Sequence, residues 1–132
     1  MKNLVFKENL TLICWYPQGI LDTERIIDYF QQMKACSWGH SANRYCDFSG
    51  ISNFILDYNK MQTLVTYRQS NLKEHIKLKV GVYCPSDVGY ALSRMYQMLM
   101  EGFGTDTFIS REIEEVADFL QIEVANLHCI TV

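Results

Sequence analysis

Apolar and polar positions follow two different spacings along the chain, and these spacings predict strands that alternate with helices. Apolar runs at residues 4–6 and 10–16, separated by a polar turn, predict a β-hairpin over residues 3–16. Pro17 and Gly19 end the second strand, because proline lacks an amide donor and glycine accepts unusual backbone dihedrals. We therefore expect the chain to open with two antiparallel strands.

Helical spacing of apolar side chains predicts four helices after the hairpin. The clearest stripe follows the pattern i, i+3, i+4, i+7, i+8, i+11, and it consists of Val88, Ala91, Leu92, Met95, Tyr96 and Leu99. Each predicted helix is preceded by a residue that can accept hydrogen bonds from the amides of the first turn. These candidate N-caps are Asp22 or Thr23, Asp57, Ser86 with Asp87, and Ser110.

Segments rich in strand-forming residues lie between the helices, at residues 44–48, 78–84 and 105–109. They complete the order ββαβαβαβα, in which strands and helices alternate after the hairpin. Such alternation is typical of parallel strands joined by crossover helices. The sequence therefore predicts an α/β fold with a single mixed, mostly parallel sheet, an N-terminal β-hairpin and about four helices.

The chain has 132 residues and a mass of 15.4 kDa, which predicts one domain over residues 1–132. We expect its regular core at about residues 3–120. Residues 121–132 are largely apolar but have no clear period, so they predict a C-terminal tail or an extra strand. Apolar residues make up 48% of the chain, which is enough to form a core and argues against intrinsic disorder.

Charge and hydropathy narrow the compartment and the partners. The net charge of −3 and the isoelectric point near 5.5 argue against broad contact with nucleic-acid phosphates. No apolar run approaches the ~18 residues of a membrane span, and residues 1–9 lack the apolar run of a secretory leader. We therefore expect a cytoplasmic protein with no nucleic-acid partner and no membrane span.

Five cysteines occur at wide spacing, most of them within apolar runs. No Cys-x-x-Cys pair occurs, and no cysteine lies beside a histidine at zinc-ligand spacing. We expect them to be reduced thiols, mostly buried, in a protein without a metal or other cofactor. They are Cys14, Cys36, Cys46, Cys84 and Cys129.

Three segments carry a resemblance to a known family. Residues 19–22 read Gly-Ile-Leu-Asp before the first helix, and residues 47–51 read Asp-Phe-Ser-Gly-Ile at a strand end. Residues 91–96 read Ala-Leu-Ser-Arg-Met-Tyr in the third helix. Together with the element order, these segments resemble the STAS-like bacterial domains (anti-anti-sigma factor-like, or STAS-SEC14-type) over about residues 3–120. The resemblance implies a non-catalytic, regulatory domain that acts through contact with a protein partner.

The chain departs from that family at its regulatory site. In regulated members, the strand-end motif leads to Asp-Ser-Ser-Gly, whose serine is phosphorylated by a partner kinase. Here residues 53–58 read Asn-Phe-Ile-Leu-Asp-Tyr, with Ile55 and Leu56 at the place of the acceptor serine. The resemblance therefore implies a domain without the kinase-controlled switch.

Polar residues follow the predicted parallel strands, where ligands of α/β sheets usually bind. The loops that we expect to meet there supply Asp22, Asp47, Ser49, Ser86 and Asp87. These residue types also serve as helix caps and turn formers, which is their more frequent use. The sequence leaves both roles open.

Three side chains stand out for other reasons. Cys84 precedes a predicted helix, whose N-terminus would lower the pKa of the thiol. Trp38 and Phe103 lie next to glycines in predicted loops, and exposed aromatic side chains there would indicate a binding surface.

Three functional hypotheses follow from the sequence. The first is a non-catalytic STAS-like domain that binds an unknown protein partner and regulates it. The second is a binding module that holds a small apolar molecule or a lipid in a pocket between helices and sheet. The third is a small enzyme that uses Cys84 or Asp47. A homodimer is also expected if the hairpin or the tail leaves an unpaired strand edge.

Overall fold

The computed structural model describes residues 3–36, 41–71, 78–103 and 105–128. The seven strands within these ranges are β1 (Leu4–Lys7), β2 (Leu12–Trp15), β3 (Gly19–Asp22), β4 (Asn43–Asp47), β5 (Ile51–Ile55), β6 (Leu78–Tyr83) and β7 (Thr105–Ser110). The helices are α1 (Thr23–Ala35), α2 (Tyr58–Asn71), α3 (Asp87–Leu99) and α4 (Ile113–Leu120). Two short 3₁₀ turns lie at Glu8–Leu10 and Val124–Asn126.

The main sheet has five strands in the order β1-β2-β4-β6-β7. β1 and β2 are antiparallel, whereas the other neighbouring strands are parallel. The predicted α/β fold, with one mixed, mostly parallel sheet and an N-terminal hairpin, is confirmed. Because the parallel strands follow one another in one direction and crossovers are right-handed, α1, α2 and α3 all cover the same face.

A second, two-stranded parallel sheet is formed by β3 and β5, and the sequence pattern did not predict it. No strand is predicted at residues 17–22 or 51–57, because both segments are short and neither alternates apolar and polar positions. Gly19 begins β3 with a φ of +82°, a conformation that favours glycine, and its amide donates to Gly50 O at 3.0 Å. The small sheet follows the ends of β2 and β4 and supplies Leu21 and Phe54 to the helix-side core.

The predicted N-caps account for three of the four helix starts. Asp22 accepts a hydrogen bond from the Arg25 amide, Asp57 from the Lys60 amide, and Ser86 from the Gly89 amide. Ser110 differs from the prediction, because it is the last residue of β7 and the N-cap position of α4 is Glu112. Its hydroxyl accepts a hydrogen bond from the Glu112 amide at 3.0 Å, so it orders the turn before the helix.

The main sheet separates two apolar clusters. One side of the sheet, here called the helix side, packs against α1, α2 and α3. The opposite side, here called the α4 side, packs against α4 and the residues that follow it. Gly81 lets α4 approach β6 closely, since a Cβ at this position would lie 2.7 Å from Val116 Cγ1 and 2.9 Å from Leu120 Cδ1. Alternate residues of each strand therefore contribute to different clusters.

The described part of the C-terminal tail is not an extra strand. Residues 121–128 contain the 3₁₀ turn at Val124–Asn126 and pack against the α4 side of the sheet. Leu127 is completely buried, and its carbonyl accepts a hydrogen bond from the Tyr16 hydroxyl at 2.7 Å. A tail held by side-chain packing and one buried hydrogen bond has no strand period, which explains why the pattern was ambiguous. Residues 129–132 lie outside the described ranges.

We expect Leu127→Ala to lower the free energy of unfolding by about 2–5 kcal/mol, because it removes a fully buried side chain. Asn126→Ala is the matched control, since it removes an exposed side chain from the same turn and should change stability by less than about 0.5 kcal/mol. Urea denaturation of both variants measures the difference. Equal stabilities would contradict the docked position of the tail.

Candidate functional site

A cavity of about 110 Å³ lies between the helices α1–α3 and the main sheet. Most of its wall is apolar, with Trp15 and Val82 from the sheet, Leu64 from α2 and Phe54 from the small sheet among the contributors. Protein interiors rarely contain voids much larger than a water molecule. A cavity of this size in the centre of the helix-side core is therefore the first candidate for a binding site.

Arg44 brings a positive charge to the sheet side of this cavity. It lies in β4, opposite Ile13 of β2 and opposite Val80 of β6, and Val80 in turn lies opposite Thr107 of β7. Residues directly opposite one another in a sheet point to the same face, so this row crosses the cavity floor. Arg44, Val80 and Thr107 all line the cavity, and only 4% of the Arg44 surface is exposed.

Arg68 brings a second positive charge from the helix side. It is buried, with 9% of its surface exposed, and its guanidinium lies over the Phe30 ring at 5.2 Å from the centroid. Within the described ranges, it makes no hydrogen bond or ion pair. Burial lowers the pKa of Arg68, and the positive charge of Arg44 lowers it further. The two guanidinium groups are therefore close enough to repel each other.

The sequence carries a signal for Arg68, although this residue belongs to no motif described above. Met61, Leu64 and Val65 form the buried stripe of α2, and Arg68 continues this stripe at the i+7 position. An arginine at a core position of an amphipathic helix is unusual, because a buried charge needs a partner. The pattern alone could have indicated a functional residue here.

The other polar groups near the arginines are neutral at physiological pH. Burial raises the pKa of Tyr96 to about 12 and that of Cys46 to about 12, and it raises the pKa of Tyr29 as well. The Cys46 thiol donates to the Tyr29 hydroxyl at 3.8 Å. These side chains therefore supply no negative charge to offset the two guanidinium groups.

The polar residues that the sequence analysis singled out serve mainly as caps and turn partners. Asp22 and Ser86 cap α1 and α3, as described above. Asp87 is exposed and forms an ion pair with Arg111 at 2.6 Å, and Arg111 also donates to the Pro85 carbonyl. None of these side chains lines the cavity. The capping role therefore accounts for their contacts.

Asp47 is buried in a local hydrogen-bond network. Its Oδ2 accepts from the Tyr45 hydroxyl at 2.9 Å, and its Oδ1 accepts from the Ser49 amide at 3.0 Å and from the Ser49 hydroxyl at 2.6 Å. Tyr45 belongs to the cluster on the α4 side, whereas Cys84 belongs to the cluster on the helix side. The sheet thus lies between Asp47 and Cys84 and does not bring them together.

Cys84 is completely buried beside Ser86 and Gly89. Burial raises the pKa of its thiol, and hydrogen bonds with Ser86 only partly oppose this effect. The sequence analysis expected the start of α3 to lower that pKa, and the expectation is wrong because desolvation outweighs the helix end.

The two aromatic side chains singled out in loops have different outcomes. Phe103 follows α3 and is exposed, as a surface contact residue would be. Trp38 lies outside the described residues, so its predicted role stays a prediction.

The described ranges contain neither a metal site of clustered side chains nor a helix that could span a membrane. No group of three or more His, Cys, Asp or Glu side chains there is arranged to hold a metal ion. No helix in those ranges combines the length and apolar character needed to cross a bilayer.

Comparison of the chain with protein-family models, with curated proteins and with solved structures finds no match. The STAS-like resemblance therefore stays a hypothesis that rests on sequence segments and element order. The cavity and the two arginines in its wall are the features of the structure that indicate a function.

We expect Cys84 to resist thiol reagents, because burial both raises the pKa of the thiol and blocks access. In a Cys129→Ser background, Ellman's reagent at pH 8 should react quickly with the half-buried Cys36 and slowly with the three buried thiols. Adding Cys84→Ser should leave the fast phase unchanged, whereas adding Cys36→Ser should remove it. A fast phase lost with Cys84→Ser would restore the nucleophile hypothesis.

Proposed function

We propose that this protein is a small-molecule-binding domain that holds its ligand in the cavity between α1–α3 and the main sheet. The observation that carries this proposal is the cavity of about 110 Å³, which is lined by apolar side chains and by two buried arginines. It deepens the second hypothesis from the sequence, a pocket between helices and sheet.

The energetic cost of the cavity supports a binding role. Apolar wall atoms that no neighbour covers lose packing contacts, so the unfilled cavity reduces the stability of the helix-side core. The buried guanidinium of Arg68, which no group in the described ranges pairs, adds a desolvation cost to the same region. A ligand that fills the void and contacts the arginines would offset both costs.

The composition of the wall favours binding over catalysis. Within the described ranges, no Asp, Glu or His lines the cavity, so its wall offers no carboxylate or imidazole for acid–base work near neutral pH. Asp47 and Cys84, the candidates for an enzyme, are engaged in a local network and in tight packing. The chemistry that remains is recognition by shape, hydrogen bonds and charge.

The test has two parts. Native mass spectrometry of the freshly purified chain should show a bound small molecule that is lost on denaturation. Ligand-observed NMR should then detect binding of isovaleramide, a compact neutral amide, with a dissociation constant in about the millimolar range expected for so small a probe.

A pair of valine variants locates the binding site. Val80→Phe places a ring in the cavity and should reduce isovaleramide binding at least about fivefold, a typical effect of losing ~1 kcal/mol of contacts. Val88→Phe makes the same change on the exposed face of α3 and should leave binding unchanged. Circular dichroism establishes that both variants are folded. Equal binding by both variants, or a wild type that binds no probe and carries no small molecule, would contradict the proposal.

A second candidate function, contact with a protein, is favoured by one face of α3. Val88, Ala91, Arg94 and Met98 recur at a spacing of three and four residues, so they lie along one side of the helix. Val88 is 60% exposed and Met98 is 67% exposed, which is high for large apolar side chains. This face suits the regulatory, protein-binding role that the STAS-like resemblance implies, including contact with a second copy.

Light scattering at several concentrations tests self-association through this face. We expect the wild type to form dimers at high concentration and the double variant Val88→Glu, Met98→Glu to remain monomeric, because the added charges would be buried in the contact. Thr66→Glu is the control, since it adds a charge to an exposed position of α2. A wild type that is monomeric throughout would argue against this contact.

A further inference from the structure

The two arginines in the cavity wall indicate which class of molecule the cavity takes. We propose that the ligand is a small organic carboxylate, whose charged group is bound by Arg68 beside Arg44 and whose compact apolar body fills the rest of the cavity. This inference rests on the proposed function, because it assumes that the cavity is a binding site.

The Arg68 guanidinium meets no hydrogen-bond acceptor in the described part of the chain. The group has five N–H donors in a fixed plane, and only 9% of the Arg68 surface is exposed. Within the described ranges no oxygen accepts from it, and its contact with Phe30 is made through the ring face. Because Arg68 lines the cavity, an acceptor that reaches these donors can come from a molecule bound there.

The charged side chains in the described cavity wall are positive. Arg44 and Arg68 both line the cavity, whereas the described wall contains no acidic side chain. The neighbouring tyrosines and Cys46 stay protonated near neutral pH, because burial raises the pKa of each. The chain as a whole carries a net charge of −3, so this positive pair is a local exception. An anionic group between or beside the guanidinium groups would reduce their mutual repulsion.

An organic carboxylate matches the donors and the apolar surface of the cavity wall. A guanidinium can bind a carboxylate through two parallel hydrogen bonds, one to each carboxylate oxygen. A neutral amide has only one oxygen, so it cannot accept both bonds in this way. Thr107 follows Arg44 and Val80 in the cross-strand row, so its side chain adds a hydroxyl near the charged end. The remaining wall is mostly apolar, which suits an organic anion better than inorganic phosphate or sulfate.

The volume of the cavity limits the size of the ligand that it can hold. The cavity of about 110 Å³ is smaller than the ~150 Å³ cavity that admits benzene. It therefore suits a short, branched or cyclic apolar body better than the full length of a long-chain fatty acid. The sequence analysis left a small apolar molecule and a lipid as alternatives, and the volume favours the small molecule.

Matched probes test the charge requirement. Isovalerate and isovaleramide have the same shape, and only isovalerate is an anion at pH 7. We expect the wild type to bind isovalerate on the order of tenfold to a hundredfold more tightly than isovaleramide, the range typical of a charge-assisted hydrogen bond. Inorganic phosphate and hexadecanoate are the comparison probes, and both should bind more weakly than isovalerate.

Two arginine variants assign the preference to the cavity. Arg68→Met keeps much of the length of the side chain and should abolish the preference for isovalerate while leaving isovaleramide binding within about twofold. Lys60→Met removes an exposed positive charge from α2, the same helix, and should leave both affinities unchanged. Thermal unfolding supplies a second readout, in which isovalerate raises the melting temperature of the wild type and of Lys60→Met but not of Arg68→Met.

Stability without ligand separates a binding residue from a structural one. We expect Arg68→Met without ligand to unfold at the same temperature as the wild type or higher, because it removes a buried charge that the described chain does not pair. A clear loss of stability, with the isovalerate preference retained, would overturn the inference.

The outcomes distinguish this inference from the proposed function. If isovaleramide binds in the cavity and isovalerate binds no better, the cavity is a binding site and the carboxylate assignment is wrong. If neither probe binds and native mass spectrometry shows no small molecule, the proposed function itself fails. Tighter binding of phosphate or of hexadecanoate than of isovalerate would likewise overturn the assignment.

Discussion

The parallel pairing of β4 with β2 on one side and with β6 on the other is the constraint on which the rest of the structure depends. A strand paired on both edges has fixed side-chain directions, since a shift of one residue would exchange the two faces. Arg44 and Cys46 therefore point to the helix side, and Tyr45 and Asp47 point to the α4 side. This alternation places a charge in the cavity and a carboxylate in a separate network.

The sequence predicted the elements whose signals are local. The helix α3, the caps at Asp22 and Ser86, and the hairpin each depend on residues within a few positions of one another, and the structure bears them out. The predicted stripe of α3 is only partly buried, because Val88 and Ala91 are exposed. The strands β3 and β5 are not predictable from the local pattern, because they are short and pair only after the crossovers bring residues 19–22 and 51–55 together. Tertiary packing, and not local propensity, makes them strands.

The candidate site was less predictable than the fold. Ligands of α/β sheets usually bind at the carboxyl ends of the strands, and in this chain the polar residues there are helix caps and turn partners. The cavity lies instead between the helices α1–α3 and the sheet. Its volume depends on how three helices pack on the sheet, which no local pattern encodes. Arg68 is the exception, because an arginine in the buried stripe of α2 conflicts with the rest of that stripe. Such local conflicts often mark functional positions.

The division of the interior by the sheet has a consequence for how this domain can evolve. The cluster on the α4 side, with Gly81 against Val116 and the docked tail, contributes to stability without lining the cavity. Distant substitutions without shared partners have nearly additive effects. Residues of the cavity wall can therefore change, and ligand preference with them, while the opposite cluster maintains the fold. Substitutions on the helix side of the sheet can thus alter ligand binding while the cluster on the α4 side continues to stabilise the domain.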